Sequence, residues 1–496
     1  MNDNKPFYKT IAFYVSLVTL GAVLYLVFQL LRLNLLPPKY FYIVAGFLAA
    51  ILAADLFMLN WKNKNLFVSV VAYVCSAAII ACSCFGSYVF NMTFTTLENM
   101  TTTKNSSDET THYVKLYALS DFTQKKLDGI EGQTIGVLKN YSRKYVEKAL
   151  RELFDQGYHF KITEYDSSIE MMNNFKGKAI NYIMMDETYL PTIEDYEGFE
   201  EITDLMIELY SYAFKVKLED TSKQAVDVTT TPFTVLVSGS DSRVGIEEVA
   251  RSDVNMVICI NPVTHIVLMI SIPRDYYVET ACEEKMGCAV GKMDKLTHTG
   301  LHGIGTTEAT IEKFLNVEIN YNATVTFNTV TKLVDALGGI TIANSEEVTL
   351  NDHKYEVGNI RVNGEQALRY ARERYSYASG DRQRGKNQMA VVKGIIKKML
   401  SPQLLKNFSG IMNAISGTFR TNMEVSDMMK LVNKQLEDNP SWKIYQYSLD
   451  GNSGTDYAYE LGDYASVMYP NEETIHRAKT DIQAIYNGEV PPYKAE

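Results

Sequence analysis

Residues 233–275 read FTVLVSGSDSRVGIEEVARSDVNMVICINPVTHIVLMISIPRD. Polar punctuation cuts three apolar runs out of this stretch. The first, from Phe233, ends in the acid Asp241. After a loop, Arg251-Ser252-Asp253 opens the second, NMVICIN. The short link NPVTH reads as a hairpin turn into the third, IVLMISI, which delivers Pro273-Arg274-Asp275 at its end. The second and third runs lack clean polar alternation, so they are expected to be covered on both faces by helices. Carboxylates and guanidinium groups thus stand at strand ends, where a sheet fixes their positions.

A second cluster lies about a hundred residues later, in LRYARERYSYASGDRQRGKNQMAVVKGIIKKML (residues 368–400). Arg372 and Arg374 are two apart, so an extended backbone aims both at one side, whereas a helix separates them. A helix is expected to begin near Asp381. At about 100° per residue, Asp381, Arg384, Gln388, Val392, Ile395 and Met399 then share one face. That stripe is apolar except in its first turns, where unpaired N–H groups and the helix dipole favour an anion.

Arginine usage points the same way. Nine of the fourteen arginines fall between Arg243 and Arg384. A guanidinium presents a planar fork suited to phosphate oxygens, which a lysine does not. Surface salt bridges are the expected role of Arg361 and Arg369. Arg251, Arg274, Arg372, Arg374 and Arg384 are read as an anion pocket with Gln388. Asp241 and Asp253 would repel an anion there unless a hard cation, Mg²⁺ or Mn²⁺, bridges them to it. Asp381 is read either as a helix N-cap or as a base that accepts a hydroxyl proton.

The rest of the chain supplies context. It has 496 residues, 46% hydrophobic and 22% charged, with a formal charge of −11. No basic excess is available to neutralise phosphates along a nucleic acid, and the apolar content is too high for disorder. Three apolar runs, Ile11–Leu31 and about residues 41–60 and 66–90, are long enough to span a bilayer. Asp55, in the second, is read as a helix-packing residue. Lys5, Lys9, Lys62 and Lys64 against Arg32 and Lys39 favour an inner N-terminus and an outer position for everything after about residue 91. Residues 98–112, ENMTTTKNSSDETTH, read as a tether, so 92–126 is taken as a linker. From 127 to 226, strands alternating with helices predict a small α/β accessory domain on a mostly parallel sheet. Its run GQTIGVLKNYS (132–142) resembles the opening strand and loop of solute-binding lobes. Residues 227–490 form the third unit. Cys282 and Cys288, in CEEKMGC, are read as a small disulfide loop, and His298 and His302 as loop or packing residues with no ligating acid nearby.

The ordered set GSDSR (239–243), RSDVN (251–255), SIPRD (271–275), DKLTH (294–298), DALGGI (335–340), NGEQALRYARER (363–374) and GDRQRGKNQ (380–388) resembles the LytR–CpsA–Psr (LCP) family, over about residues 231–400. The preceding helices and accessory unit look like its capsule-associated members. The resemblance implies an α-β-α domain with a central mixed sheet, outside the membrane. It implies a phosphotransferase that moves a glycopolymer (capsule, teichoic acid or similar) from a polyprenyl-pyrophosphate carrier to peptidoglycan, beside capsule or wall-polymer assembly proteins. Carried over, Asp241 and Asp253 hold the cation; Arg251, Arg274, Arg372, Arg374 and Gln388 contact pyrophosphate, with Arg384 and Asp381 beside it. Catalysis then falls to Asp381, Arg274 and Arg384. A non-enzymatic sensor of lipid phosphate and a lipid pyrophosphate hydrolase share the same clamp.

Overall fold

The computed structural model describes residues 10–33, 36–61, 65–101, 109–122, 126–139, 141–196, 198–217, 223–240, 250–281, 290–351, 353–378, 380–401 and 408–492. Three helices come first: α1 (Ile11–Leu33), α2 (Pro38–Asn60) and α3 (Leu66–Met100). Each is long and apolar enough to cross a membrane. Ser76 of α3 donates a hydrogen bond to Asp55 at 2.8 Å, and both are buried between helices. The acid is a packing contact, as expected.

The third helix departs from expectation. It does not stop near residue 90 but runs for 35 residues, about 50 Å at 1.5 Å per residue, against a hydrocarbon core of about 30 Å. Thr93 and Thr96 look like tether residues, yet their hydroxyls turn back onto the helix's own Val89 and Met92 carbonyls. Leu97 and Met100 are buried against Ile411, Met412, Ile415 and Met429 of the large domain. The far end of the expected linker is also structured. Glu109–Leu119 is strand β1, with Val114, Leu116 and Ala118 in one core and Tyr117 and Leu119 in another. A strand buried on both faces needs apolar residues only at its centre, so the threonine-rich start concealed it.

In the accessory domain β1 is followed by β2 (Thr134–Leu138), α4 (Arg143–Asp155), β3 (Lys161–Tyr165), α5 (Ser168–Lys176), β4 (Tyr182–Asp186), α6 (Leu190–Glu194) and β5 (Met206–Lys217). The sheet order is β3-β2-β4-β1-β5. Strands β2, β3 and β4 are parallel, as the βαβ pattern predicts, but β1 runs antiparallel to both β4 and β5. The sheet is mixed rather than mostly parallel because the unanticipated β1 occupies it.

The large domain begins with β6 (Phe233–Ser240), β7 (Ser252–Asn261) and β8 (Ile266–Ile272), then β9 (Tyr277–Glu279), β10 (Met293–Lys295), α7 (Ile304–Leu315), β11 (Tyr321–Val325), α8 (Phe327–Ala336) and β12 (Ile340–Asn344). A small hairpin, β13 (Val348–Leu350) and β14 (His353–Tyr355), precedes β15 (Gly358–Val362), α9 (Gly364–Arg372), α10 (Asp381–Met399), α11 (Phe408–Ile415) and β16 (Phe419–Thr421). The chain closes with α12 (Val425–Asp438), β17 (Lys443–Ser448), β18 (Gly451–Ala458), β19 (Asp463–Pro470) and α13 (Glu472–Tyr486). The central sheet has the order β16-β11-β6-β7-β8-β17. It is mixed: β6, β7 and β8 are antiparallel neighbours, while β11 and β17 lie parallel to β6 and β8.

Alternation along the strands serves two helix layers. Leu236, Val257, Cys259, Leu268 and Ile270 pack with Ile311 and Leu315 of α7 and Ile475 and Ile482 of α13. Met256, Ile258, Val267 and Met269 face the other way, against Met389, Val392 and Ile396 of α10. This is the expected α-β-α arrangement, with no need for polar residues on either face. The stripe on α10 is split, however. Val392 meets the sheet, whereas Ile395 and Met399 pack with Ile340, Ile342 and Val362 on the opposite flank. Helix α10 is wedged between two cores.

Phe175 is fully buried in the accessory core. Phe175→Ala should therefore lower unfolding stability by about 3–5 kcal/mol, measured by denaturant titration of the full chain, with Phe175→Leu losing less.

Candidate functional site

The start of β7 and the end of β8 are adjacent because the hairpin pairs Asn255 with Ile272. That register brings Arg251 and Asp253 to Arg274. Arg274 Nη1 donates to Asp253 Oδ1 at 2.9 Å, and Arg251 Nη2 stands 3.8 Å from Asp253 Oδ2. Thr297, in the 3-10 turn Leu296–His302, adds a hydroxyl to Asp253 at 2.9 Å. Both arginines are buried, at 7% and 6% exposure. Beside them Lys295 pairs with Asp275 at 2.6 Å.

A fourth group completes the cluster and was not anticipated. Asp195, which follows α6 in the accessory domain, accepts from Arg251 Nη1 at 3.0 Å and from Arg274 Nη2 at 2.7 Å. Nothing in the local sequence marks this acid, because only the docking of the two domains brings it here. Thr297 and Lys295 did carry a signal, lying inside the DKLTH motif.

The charges shape the carboxylates. Burial alone would raise Asp253, but Arg274, Arg251 and Arg384 outweigh it and hold the carboxyl well below the usual range. Burial likewise opposes ionisation of Asp195, but Arg274 and Arg251 overcome it, and the carboxyl ends below its ordinary value. Asp275 is lowered against burial by Lys295 and Arg274.

Next to this cluster a cavity of about 970 Å³ opens between the ends of β8 and β17, α10 and β12. Asp253, Arg274, Arg384 and Gln388 all line it, as expected for the anion pocket. Arg382, Lys386, Lys393 and Lys397 add to the positive side, while Asp253 and Asp450 are the acids, so among the described lining residues cations outnumber acids six to two. Helix α10 begins at Asp381, preceded by Gly380 in a positive-φ conformation with no side-chain cap. Gly380, not Asp381, is the N-cap, which removes that reading of Asp381. The side chain of Asp381 lies outside the described residues.

The remaining expected ligands are placed elsewhere. Arg251 sits behind Asp253 rather than in the cavity lining. Arg372 ends α9, and its guanidinium lies 4.4 Å from the Phe327 ring centre. Arg374 covers Tyr375 at 4.6 Å. The link between them is extended at Glu373, but neither arginine lines the cavity. Each meets an aromatic face near its own backbone instead. Asp241, Cys282 and Cys288 lie outside the described residues. Arg369 forms the expected surface pair with Glu365, whereas Arg361 bonds the Gly338 carbonyl. His298 and His302 do have acids at hand: Asp294 and Glu460, each 2.6 Å away. His302 ties the 3-10 turn to the β18–β19 hairpin, while His298 ties it to β10, whose Asp294 also accepts from the Glu460 N–H at 2.7 Å; both are packing roles.

For the expected hard cation, Asp253 is the one described carboxylate among the expected ligands, and its oxygens already face Arg274, Arg251 and Thr297. Among the described residues no cluster of three ligating side chains exists, but Mg²⁺ commonly needs only one or two carboxylates plus phosphate oxygens. Asp253 supplies one, and Ser240, where the described part of β6 ends, is paired with Ser252 directly before Asp253.

The LytR_cpsA_psr family model matches residues 201–481. The chain is 33% identical over 248 residues to the polyisoprenyl-teichoic acid–peptidoglycan teichoic acid transferase TagU of Bacillus anthracis, covering 49% of this chain and 79% of that protein. It is 34% identical over 205 residues to the transferase of the same name from Enterococcus faecalis, covering 40% of this chain and 64% of the other. The crystal structure of B. subtilis TagU aligns over 53% of this chain and all of its own, with 26% identity and a TM-score of 0.41.

Gly300 packs directly behind the site. A Cβ there would stand 2.5 Å from both the Ala250 carbonyl and the Ser252 nitrogen. Gly300→Ala should cost about 1–3 kcal/mol by overpacking and displace Arg251 and Asp253. Thermal unfolding should show a lower midpoint, accompanied by loss of turnover.

Proposed function

We propose that this chain, which belongs to the LytR–CpsA–Psr family, transfers an envelope glycopolymer from a polyprenyl-pyrophosphate carrier to peptidoglycan through a phosphodiester. The observation that carries the reading is the cation-rich cavity in which Asp253, Arg274, Arg384 and Gln388 converge. The name shared by the bacillary and enterococcal relatives, a polyisoprenyl-teichoic acid–peptidoglycan transferase, supplies the substrate class. A teichoic acid or a capsular polymer has the required anionic linkage. The reading places the large domain on the outer side of the membrane, where peptidoglycan is, with envelope assembly proteins as neighbours.

In this scheme a peptidoglycan hydroxyl attacks the sugar-side phosphorus, its oxygen forming the new P–O bond. The bond to the bridging oxygen breaks, and polyprenyl phosphate departs with the electron pair. Arg274 and Arg384 stabilise the charge that develops on the phosphoryl oxygens, and the N-terminus of α10 adds its unpaired N–H groups. Gln388, one turn further along α10, orients the diphosphate. Asp381, in the first turn, takes the hydroxyl proton. A divalent cation held by Asp253 and Asp241 supplies, when bound, neutralisation of charge between those carboxylates and the diphosphate.

The test uses the full chain in lipid nanodiscs with a short polyprenyl-pyrophosphoryl saccharide, Mg²⁺ and peptidoglycan fragments. Mass spectrometry should find the glycan–phosphate–peptidoglycan adduct together with polyprenyl phosphate. Carrier loaded but never consumed, or glycan phosphate released to water without adduct, would count against transfer. Arg274→Ala should slow turnover by on the order of 10²–10³. Chelation with EDTA should abolish product, and added Mg²⁺ should restore it; full activity in EDTA would remove the cation from the scheme.

A further inference from the structure

We infer that Asp195, supplied by the accessory domain, is a positioning residue of the diphosphate clamp, fixing Arg251 and Arg274 from outside the region that the family model matches. The inference rests on the functional reading above. Its basis is geometric. Arg274 uses both ends of its fork, Nη1 on Asp253 at 2.9 Å and Nη2 on Asp195 at 2.7 Å. Arg251 repeats the pattern, 3.0 Å from Asp195 and 3.8 Å from Asp253. Two guanidinium groups and two carboxylates thus alternate, and each arginine is aimed by an acid on either side.

The carboxylate is delivered from firm ground. Asp195 caps α6, whose Leu190 and Ile193 are buried in a core that also contains Leu301, Leu461 and Ala465 of the large domain. The Ser168 backbone and hydroxyl both donate to the Leu461 carbonyl at 3.0 Å, and the Tyr189 hydroxyl donates to the Glu460 carbonyl. Gly462 packs so closely on Asp166 and Ser167 that a Cβ there would lie 2.4 Å from the Asp166 carbonyl. The acid approaches from behind: Asp253 and Arg274 line the cavity, whereas Asp195 does not. It therefore buttresses the arginines and leaves the cavity open to the diphosphate. Without it, Arg251 and Arg274 would lose the carboxylate that bridges them, and their guanidinium groups would no longer be held in the present geometry.

The full chain is assayed as above with Asp195→Asn, Asp195→Glu and Arg274→Ala. Misplacement of about 1 Å can cost on the order of 10² in rate, so Asp195→Asn should lower kcat by about 10- to 100-fold. KM for the lipid-linked saccharide should change less than kcat, because the arginines remain present and only their aim is lost. Asp195→Glu, which keeps the carboxylate but lengthens its stem, should recover part of kcat. A folding defect alone would lower the unfolding midpoint of Asp195→Asn and leave the two variants without that ordering. If Asp195→Asn does not fold, Asp195→Ala takes its place as the variant without the carboxylate. Wild-type kcat in folded Asp195→Asn overturns the inference, and so does a lower KM at unchanged kcat, which would make Asp195 a competitor of the diphosphate. Should Arg274→Ala lose activity while Asp195→Asn does not, only the inference fails. A wild-type chain that forms no adduct ends the functional reading and the inference together.

Discussion

Two guanidinium groups less than a tenth exposed can persist only where carboxylates surround them, because an unpaired buried charge costs several kcal/mol. Arg251 and Arg274 meet that condition with Asp253 on one side and Asp195 on the other. Much of the architecture follows from this requirement. The β7–β8 hairpin must hold its register, the 3-10 turn must bring Thr297 to Asp253, and the accessory domain must dock in one orientation. A cluster balanced in this way leaves Arg274 facing a cavity whose described lining carries more cations than acids. The site is thus built in two parts: a neutral, rigid base and a positive mouth.

The base also explains why the accessory domain shares a core with the large one. Ile193, Tyr189 and Phe175 pack in one cluster with Leu301, Leu461 and Ala465. A carboxylate can steer an arginine to within a few tenths of an ångström only if its own backbone is held as firmly. A flexible spacer could not do this. The domain that the βαβ pattern marks as an accessory is, in packing terms, part of the support behind the candidate site.

How much of this was legible depended on distance in the chain. The hairpin NPVTH, the helix starting at Asp381 and the three apolar spans were readable, because each is a local pattern of hydrophobicity or turn chemistry. So was the convergence of Asp253, Arg274, Arg384 and Gln388, since strand ends and helix N-termini are fixed places in an α-β-α fold. Asp195 was not, because its partners lie across a domain interface. The end of α3 was misread because threonines that bond their own helix look like those of a loop. Strand β1 was lost in the same stretch. Arg372 and Arg374 were grouped with the pocket from their spacing and from the family resemblance; in the structure their guanidinium groups lie on the rings of Phe327 and Tyr375, outside the cavity's described lining.

Helix α3 carries one more implication. Its last turn is seated on α11 by Leu97 and Met100, and Thr96 donates to Asn413 at 3.2 Å. A helix fixed at both ends behaves as a mast rather than a leash. The enzyme head cannot sweep a hemisphere around its root but rides at one altitude, drifting only sideways with the bilayer. Under the proposed function, carrier lipids share that plane and meet it by lateral diffusion, whereas wall strands must sag to its level to be modified. Reach, and not affinity alone, then limits which glycan chains can receive cargo.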